Sequence, residues 1–149
     1  MEFLIKMIKS VLFTWIVVAC TLSFNITKAQ STAGQEEWVA PPTADKENNP
    51  YTSEKDIESG KQIFDMYCWV CHGKEGLGDG PAGASLPVKP RNFTATSVKE
   101  QTDGALFWKL SNGKGNMIGY GGILSDEKRW QVISYIRSIN ENFNKASSN

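Results

Sequence analysis

The chain has 149 residues with 16 basic and 16 acidic side chains, a formal net charge of zero. That length favours one domain with a modest core, and the charge balance carries no general pull toward nucleic acid. Of the three cysteines, two share one five-residue run and the third lies in an apolar N-terminal stretch, which excludes a disulfide framework; the single histidine excludes a site built on two.

At the N-terminus Lys6 and Lys9 precede an apolar run from Val11 to about Phe24, followed by polar residues and Thr27-Lys28-Ala29. A positive region, a short apolar core and a small-residue exit predict a secretory signal peptide over 1–29, cut after Ala29. An uncleaved anchor is the alternative, disfavoured because a span needs about 20 apolar residues. Val17-Val18-Ala19-Cys20 is similar to a bacterial lipobox, which would make Cys20 a lipidated N-terminus; Leu22, Phe24 and Ile26 continue the apolar run past it and rank this reading lower. Every outcome puts the domain on the exported, periplasmic side of the membrane. Without residues 1–29 the chain carries 13 basic and 15 acidic residues, formally −2.

Residues 30–52 are polar, contain Pro41, Pro42 and Pro50, and read as a linker or extended lead-in, with Trp38 packing on the domain surface or on a partner. Ser53 with Asp56 three residues on gives a capping-box pattern for a first helix. Ile57, Gly60, Phe64, Tyr67 and Cys71 then fall on one helical stripe, and Gly73 stops the helix. Residues 73–101, rich in glycine and proline, predict a long loop wrapped around something other than protein. Asp103–Leu110 reads as a short helix turning Leu106, Phe107 and Leu110 inward. Gly113–Gly122 is a glycine-rich loop, and Ser125 caps a last helix whose Val132, Ile136, Ile139 and Phe143 share a face. No strand pattern or repeat is evident, so 53–145 is expected to be one all-α domain.

Cys68-Trp69-Val70-Cys71-His72 is the C-x-x-C-H pattern of covalent c-type haem attachment. Two thiols three positions apart can each add to a vinyl group, which puts the following histidine under the ring as axial ligand; the sixth ligand in such sites is often methionine. After residue 29 the chain has only Met66 and Met117. Met66, two residues before Cys68, cannot readily reach the opposite face of the ring and is assigned to core packing. Met117, in a loop flanked by glycines, is the candidate ligand, with ordinary core filling as the rival reading. Zinc would want four ligands, and a thioredoxin-like dithiol would want a βαβ setting; neither is present.

Over about residues 53–143 the chain resembles class I c-type cytochromes. The likeness rests on the haem motif, on Gly60 and Phe64 eight and four positions before Cys68, on Val132 and Tyr135 of the last helix, on the glycine-rich stretch after His72, and on Met117 in the loop before the last helix. It implies a cytochrome c fold, three to five short helices wrapped around one covalent haem, with Met117 at the place of the axial methionine. The family usually has Met-Pro where this chain has Met117-Ile118, so a looser loop and a weaker iron–sulfur bond are expected. The resemblance also implies a loop-proline carbonyl on the proximal histidine, for which Pro81 is the candidate and Pro87 the rival. It implies haem propionates held by Arg91, Trp108 or Tyr120, each of which also has an ordinary reading as solvated charge or core aromatic.

The resulting expectation is a mono-haem, one-electron carrier of a periplasmic respiratory chain, not an enzyme, meeting redox proteins as donor and acceptor. Two alternatives stand beside it. One is a cytochrome subunit docked on a larger respiratory complex, with Trp38 and the linker as contacts. The other is a five-coordinate haem acting as gas sensor or peroxidase, if Met117 is not bound.

Overall fold

The structure, a computed structural model, describes residues 38–147, with side-chain surroundings through residue 142. The predicted signal peptide, Cys20 and the first part of the lead-in lie outside the described residues, as does the side chain of Phe143.

Among the described residues five helices carry the fold: α1 (Glu54–Tyr67), α2 (Trp69–His72), α3 (Thr96–Lys99), α4 (Asp103–Asn112) and α5 (Asp126–Ser147), with 3-10 turns at Ala44–Lys46 and Gly83–Ser85. Among the described residues the only β feature is an isolated bridge between Lys114 and Met117. The all-α expectation holds.

α1 begins where its capping box predicts. Ser53 Oγ accepts from the Asp56 amide at 3.3 Å, and the Asp56 carboxylate accepts from the Ser53 amide at 3.2 Å. The helix then crosses α5 at Gly60, where a Cβ would stand 1.9 Å from the Gln131 carbonyl oxygen. Only glycine permits that approach. One turn on, Phe64 is fully buried and meets Tyr135 edge-on at 5.2 Å and Phe93 at 6.2 Å. The main core is completed by Leu110 of α4, Tyr120 and Leu124 of the following loop, and Trp130, Val132, Ile133 and Ile136 of α5. Met66 is not part of it. At 69 % exposure it faces solvent, because position 66 falls off the stripe that Gly60 and Phe64 define.

From Trp38 onward the lead-in is fastened to the domain. Ala40 and Ala44 pack on Ala105 and Trp108, and Gly104 leaves room for the Ala44 carbonyl, which would lie 1.8 Å from a Cβ there. Thr102 Oγ1 donates to Asp45 at 2.7 Å, Asn49 Nδ2 donates to Ser134 Oγ at 2.8 Å, and Lys109 Nζ sits 5.8 Å from the Trp38 ring centre. Trp38 therefore packs on the domain surface. Arg137 of α5 holds the start of α4, donating to Asp103 at 2.7 Å and to the Gln101 carbonyl at 2.5 Å.

Gly60→Ala is expected to cost about 1–3 kcal/mol despite alanine's better helix propensity, since the crossing must open to admit a methyl group. Chemical denaturation of the holoprotein measures this. Gly122→Ala, where a Cβ meets nothing within 4 Å, should leave the midpoint unchanged.

Candidate functional site

The haem motif does not sit on one continuous helix. α1 ends at Tyr67, Cys68 takes φ −114° and ψ −39°, and the four residues of α2 form a separate turn. Gly73 ends that turn at φ +80°, and a Cβ there would also lie 2.0 Å from Asp79 Oδ1. The last carbonyls of the turn are capped by the following loop. Ala82 donates to Val70 O at 2.9 Å, Gly80 to Cys71 O at 3.2 Å and Gly78 to His72 O at 2.8 Å. Gly80 and Gly83 permit the loop to lie this close, since a Cβ on either would fall within 2.6 Å of the Cys71 carbonyl oxygen. The glycine-rich loop is thus a backbone cap that fixes the C-x-x-C-H turn.

His72 is held on two sides. Its ring stacks on Phe93 at 4.5 Å with 16° between planes, and Nδ1 lies 3.3 Å from the Arg91 carbonyl oxygen. With Nδ1–H donating to that carbonyl, Nε2 keeps its lone pair for a metal. Burial holds the imidazole below its ordinary pKa, opposed by the Arg91 carbonyl, so near neutral pH it is in the uncharged form that ligates. The carbonyl is not the expected one: Pro81 is exposed and Arg91 O takes the role assigned to Pro81 or Pro87. Arg91 therefore contributes its backbone here, while its side chain is exposed.

The two thiols are free and half-buried. Burial, with Cys71 beside it, pushes the Cys68 thiol up to about 12. A reactive dithiol has the opposite shift. Among the described residues no group of three or more His, Cys, Asp and Glu could hold a bare metal ion.

Met117 is carried on a loop closed by mutual hydrogen bonds. Lys114 N donates to Met117 O at 2.9 Å and Met117 N to Lys114 O at 3.1 Å, with Gly113 and Gly115 at φ +68° and +59°. Downstream, Tyr120 N donates to Leu110 O at 2.9 Å and Gly121 N to Ser111 O at 3.0 Å, returning the loop to the end of α4. Met117 is half-buried against the main core. Tyr120, three residues on, donates its hydroxyl to Tyr67 O at 3.1 Å and meets the Tyr67 ring edge-on at 6.0 Å, next to Cys68. Trp108 packs in the separate cluster with Ala40, Ala44 and Ala105, not in the core that holds Met117.

These residues fit a covalent haem. The donor set is two thiols, an imidazole with one nitrogen already oriented, and a thioether. The large apolar side chains beside them, Tyr67, Val70, Ile118 and Ile123, are exposed on the protein alone, which is apolar surface for a porphyrin to cover. Two contributors escaped the sequence reading. Phe93 had one signal, a lone aromatic inside a glycine- and proline-rich loop; the Arg91 carbonyl, being backbone, had none.

The family model described as cytochrome c oxidase, cbb3-type, subunit III, matches residues 55–136, more than half of the chain. The chain belongs to this family. It is a class I c-type cytochrome, and its cofactor is covalently bound haem c. It is similar to the cytochrome c6 of Bumilleriopsis filiformis, 30 % identical over 90 residues that span 58 % of this chain and 94 % of that one. It is also similar to the thiosulfate dehydrogenase of Stutzerimonas stutzeri, 37 % identical over 89 residues, 56 % of this chain but only 27 % of that protein. Among solved structures it matches the reducing HAO-like protein complex of Kuenenia stuttgartiensis with a TM-score of 0.57 and 27 % identity, over 72 % of this chain and about half, 52 %, of that one.

Cys68→Ala and Cys71→Ala should each retain haem through the remaining thioether with a shifted pyridine haemochrome spectrum. The double variant should lose the haem-stained band on a denaturing gel. A double variant that still stains would assign attachment elsewhere.

Proposed function

We propose that this c-type cytochrome is a one-electron carrier with His72 and Met117 as axial ligands, working in an exported, periplasmic respiratory chain rather than as an enzyme. The observation that carries the reading is the pairing of an oriented, neutral imidazole with a half-buried methionine on a tied-down loop. Bound haem c supplies the Fe(II)/Fe(III) couple. Cys68 and Cys71 would hold the group by thioethers. His72, its Nδ1 proton on Arg91 O and its ring on Phe93, is fixed in one tautomer and orientation. Met117 would supply the second protein ligand, and thioether ligation would raise the potential. With His72 and Met117 both committed to the iron, no substrate site would remain on it, and the chain's one histidine would be unavailable as a general base. The leader-like residues 1–29 support an exported location. Among the described residues no helix is long and apolar enough to cross a membrane.

A second reading is a cytochrome subunit seated on a larger respiratory assembly. The family's description names an oxidase subunit and the similar solved structure is a complex. If so, the protein should co-purify with an oxidase or reductase from gently solubilised membranes; a monodisperse monomer in the periplasmic fraction argues for the free carrier.

The ligation reading is tested by the sulfur-to-iron charge-transfer band in the red. Ferric wild type should show it, and Met117→Ala should lose it, bind carbon monoxide when reduced and titrate at a lower potential. A wild type without the band that binds carbon monoxide readily would instead be a five-coordinate sensor or peroxidase.

A further inference from the structure

Arg129 is a buried cation, 7 % exposed, that none of the preceding roles uses. Its Nε donates to Leu124 O at 3.2 Å, its Nη1 to Ser111 Oγ and its Nη2 to the Asp126 carboxylate. The guanidinium lies 4.5 Å from the centre of the Phe107 ring, and Phe107 is stacked on Trp130 at 4.0 Å with 13° between planes. Ser111 Oγ passes its own proton to Phe107 O at 2.6 Å, so its lone pair is directed to the arginine. Ser111 and Leu124 lie on either side of the Met117 loop, two residues before Gly113 and two after Gly122. One side chain therefore ties the outgoing and returning strands of that loop to each other and to the first turn of α5.

We propose that Arg129 is a positioning residue for Met117: by clamping both ends of the loop it holds the thioether against the iron and takes over the restraint that proline supplies in Met-Pro relatives. The inference rests on Met117 being the sixth ligand. Its energetic basis is a fork of donors in fixed geometry. Removing it takes away the side-chain link between the loop ends, leaving only the Tyr120 and Gly121 amide bonds to Leu110 O and Ser111 O, and leaves the Leu124 carbonyl and Ser111 hydroxyl without that partner. The loop would then spend more time detached, and any external ligand competing with Met117 would bind in proportion to the detached fraction.

The test is imidazole titration of the purified ferric holoprotein, followed by loss of the charge-transfer band or, without that band, by the Soret shift. Arg129→Gln should bind imidazole about tenfold more tightly than wild type. Arg129→Lys should recover less than half of the difference, because a lysine cannot reproduce the fork. In a Met117→Ala background the effect of Arg129→Gln should vanish, as a double-mutant cycle requires if the arginine acts through the methionine. Arg137→Gln, which removes another multiply bonded arginine of α5 but one bonded to Asp103 and Gln101, should leave imidazole affinity at the wild-type value. Unchanged affinity in Arg129→Gln, a change that persists without Met117, or an equal change in Arg137→Gln would each overturn the proposal. If Arg129→Gln does not fold, Ser111→Ala decides: several-fold tighter binding supports the clamp, and wild-type affinity sinks it. Absence of the charge-transfer band in wild type overturns Met117 ligation itself and this inference with it; a normal band with insensitive affinity overturns the inference alone.

Discussion

The contact on which the other arrangements depend is the backbone approach of α1 to α5 at Gly60 and Gln131. It sets the angle and depth at which the helix leading into the motif turn meets the last helix. Phe64, buried one turn later, transmits that geometry edge-on to Tyr135 of α5 and to Phe93, and Phe93 stacks flat on His72. Aromatic pairs of this kind contribute about 0.5–1.5 kcal/mol each beyond the area they bury. Their larger consequence is directional, since each ring restricts the next. On its other residues α5 packs through Trp130, Val132, Ile133 and Ile136 against the core that carries Met117 and Tyr120. Both candidate axial ligands are therefore referenced to the same helix.

The loop after His72 would be hard to reconcile with a compact domain if it were only a connector. Its amides instead cap the C-terminal carbonyls of α2, and Phe93 N returns to Gly76 O at 2.8 Å. The glycines matter where the chain lies against the motif turn, at Gly80 and Gly83. Backbone polar groups that a helix would satisfy internally are satisfied between loop and turn. Among the described residues, the Asn140 Oδ1 atom is the one buried side-chain polar atom without a partner.

The features legible in the sequence were those with periodicity or residue-type signatures: the capping box at Ser53, the stripe through Gly60 and Phe64, the haem motif, and the inward face of α5. What was not legible has a common physical cause. The partner of His72 is a backbone carbonyl, which any residue carries, so proline was a poor guide and Arg91 took the place of Pro81. The docking of residues 38–49 rests on single alanines and side-chain hydrogen bonds scattered over α4 and α5, with no period to detect. Trp108 was weighed as a propionate donor because the resemblance implies Arg, Trp or Tyr in that role, and in the structure it packs with Ala40, Ala44 and Ala105. Met66 was placed in the core for its hydrophobicity, although its phase on α1 points it to solvent.

Where the resembled family usually has Met-Pro this chain has Met117-Ile118, and its loop is held by backbone and side-chain hydrogen bonds. A proline contributes by narrowing the unfolded ensemble, about 0.4–1 kcal/mol at a compatible site. Here Lys114 and Met117 exchange two hydrogen bonds, Tyr120 and Gly121 make two more to the end of α4, and Arg129 bonds to residues on both sides of the loop. At about 0.5–1.5 kcal/mol net for each bond, that set is of the same order as, or larger than, the contribution of one proline ring. Ile118 itself is 57 % exposed and contributes little to the restraint. The restraints this loop carries thus come from Gly113, Ser111 and Arg129, residues before and after the methionine.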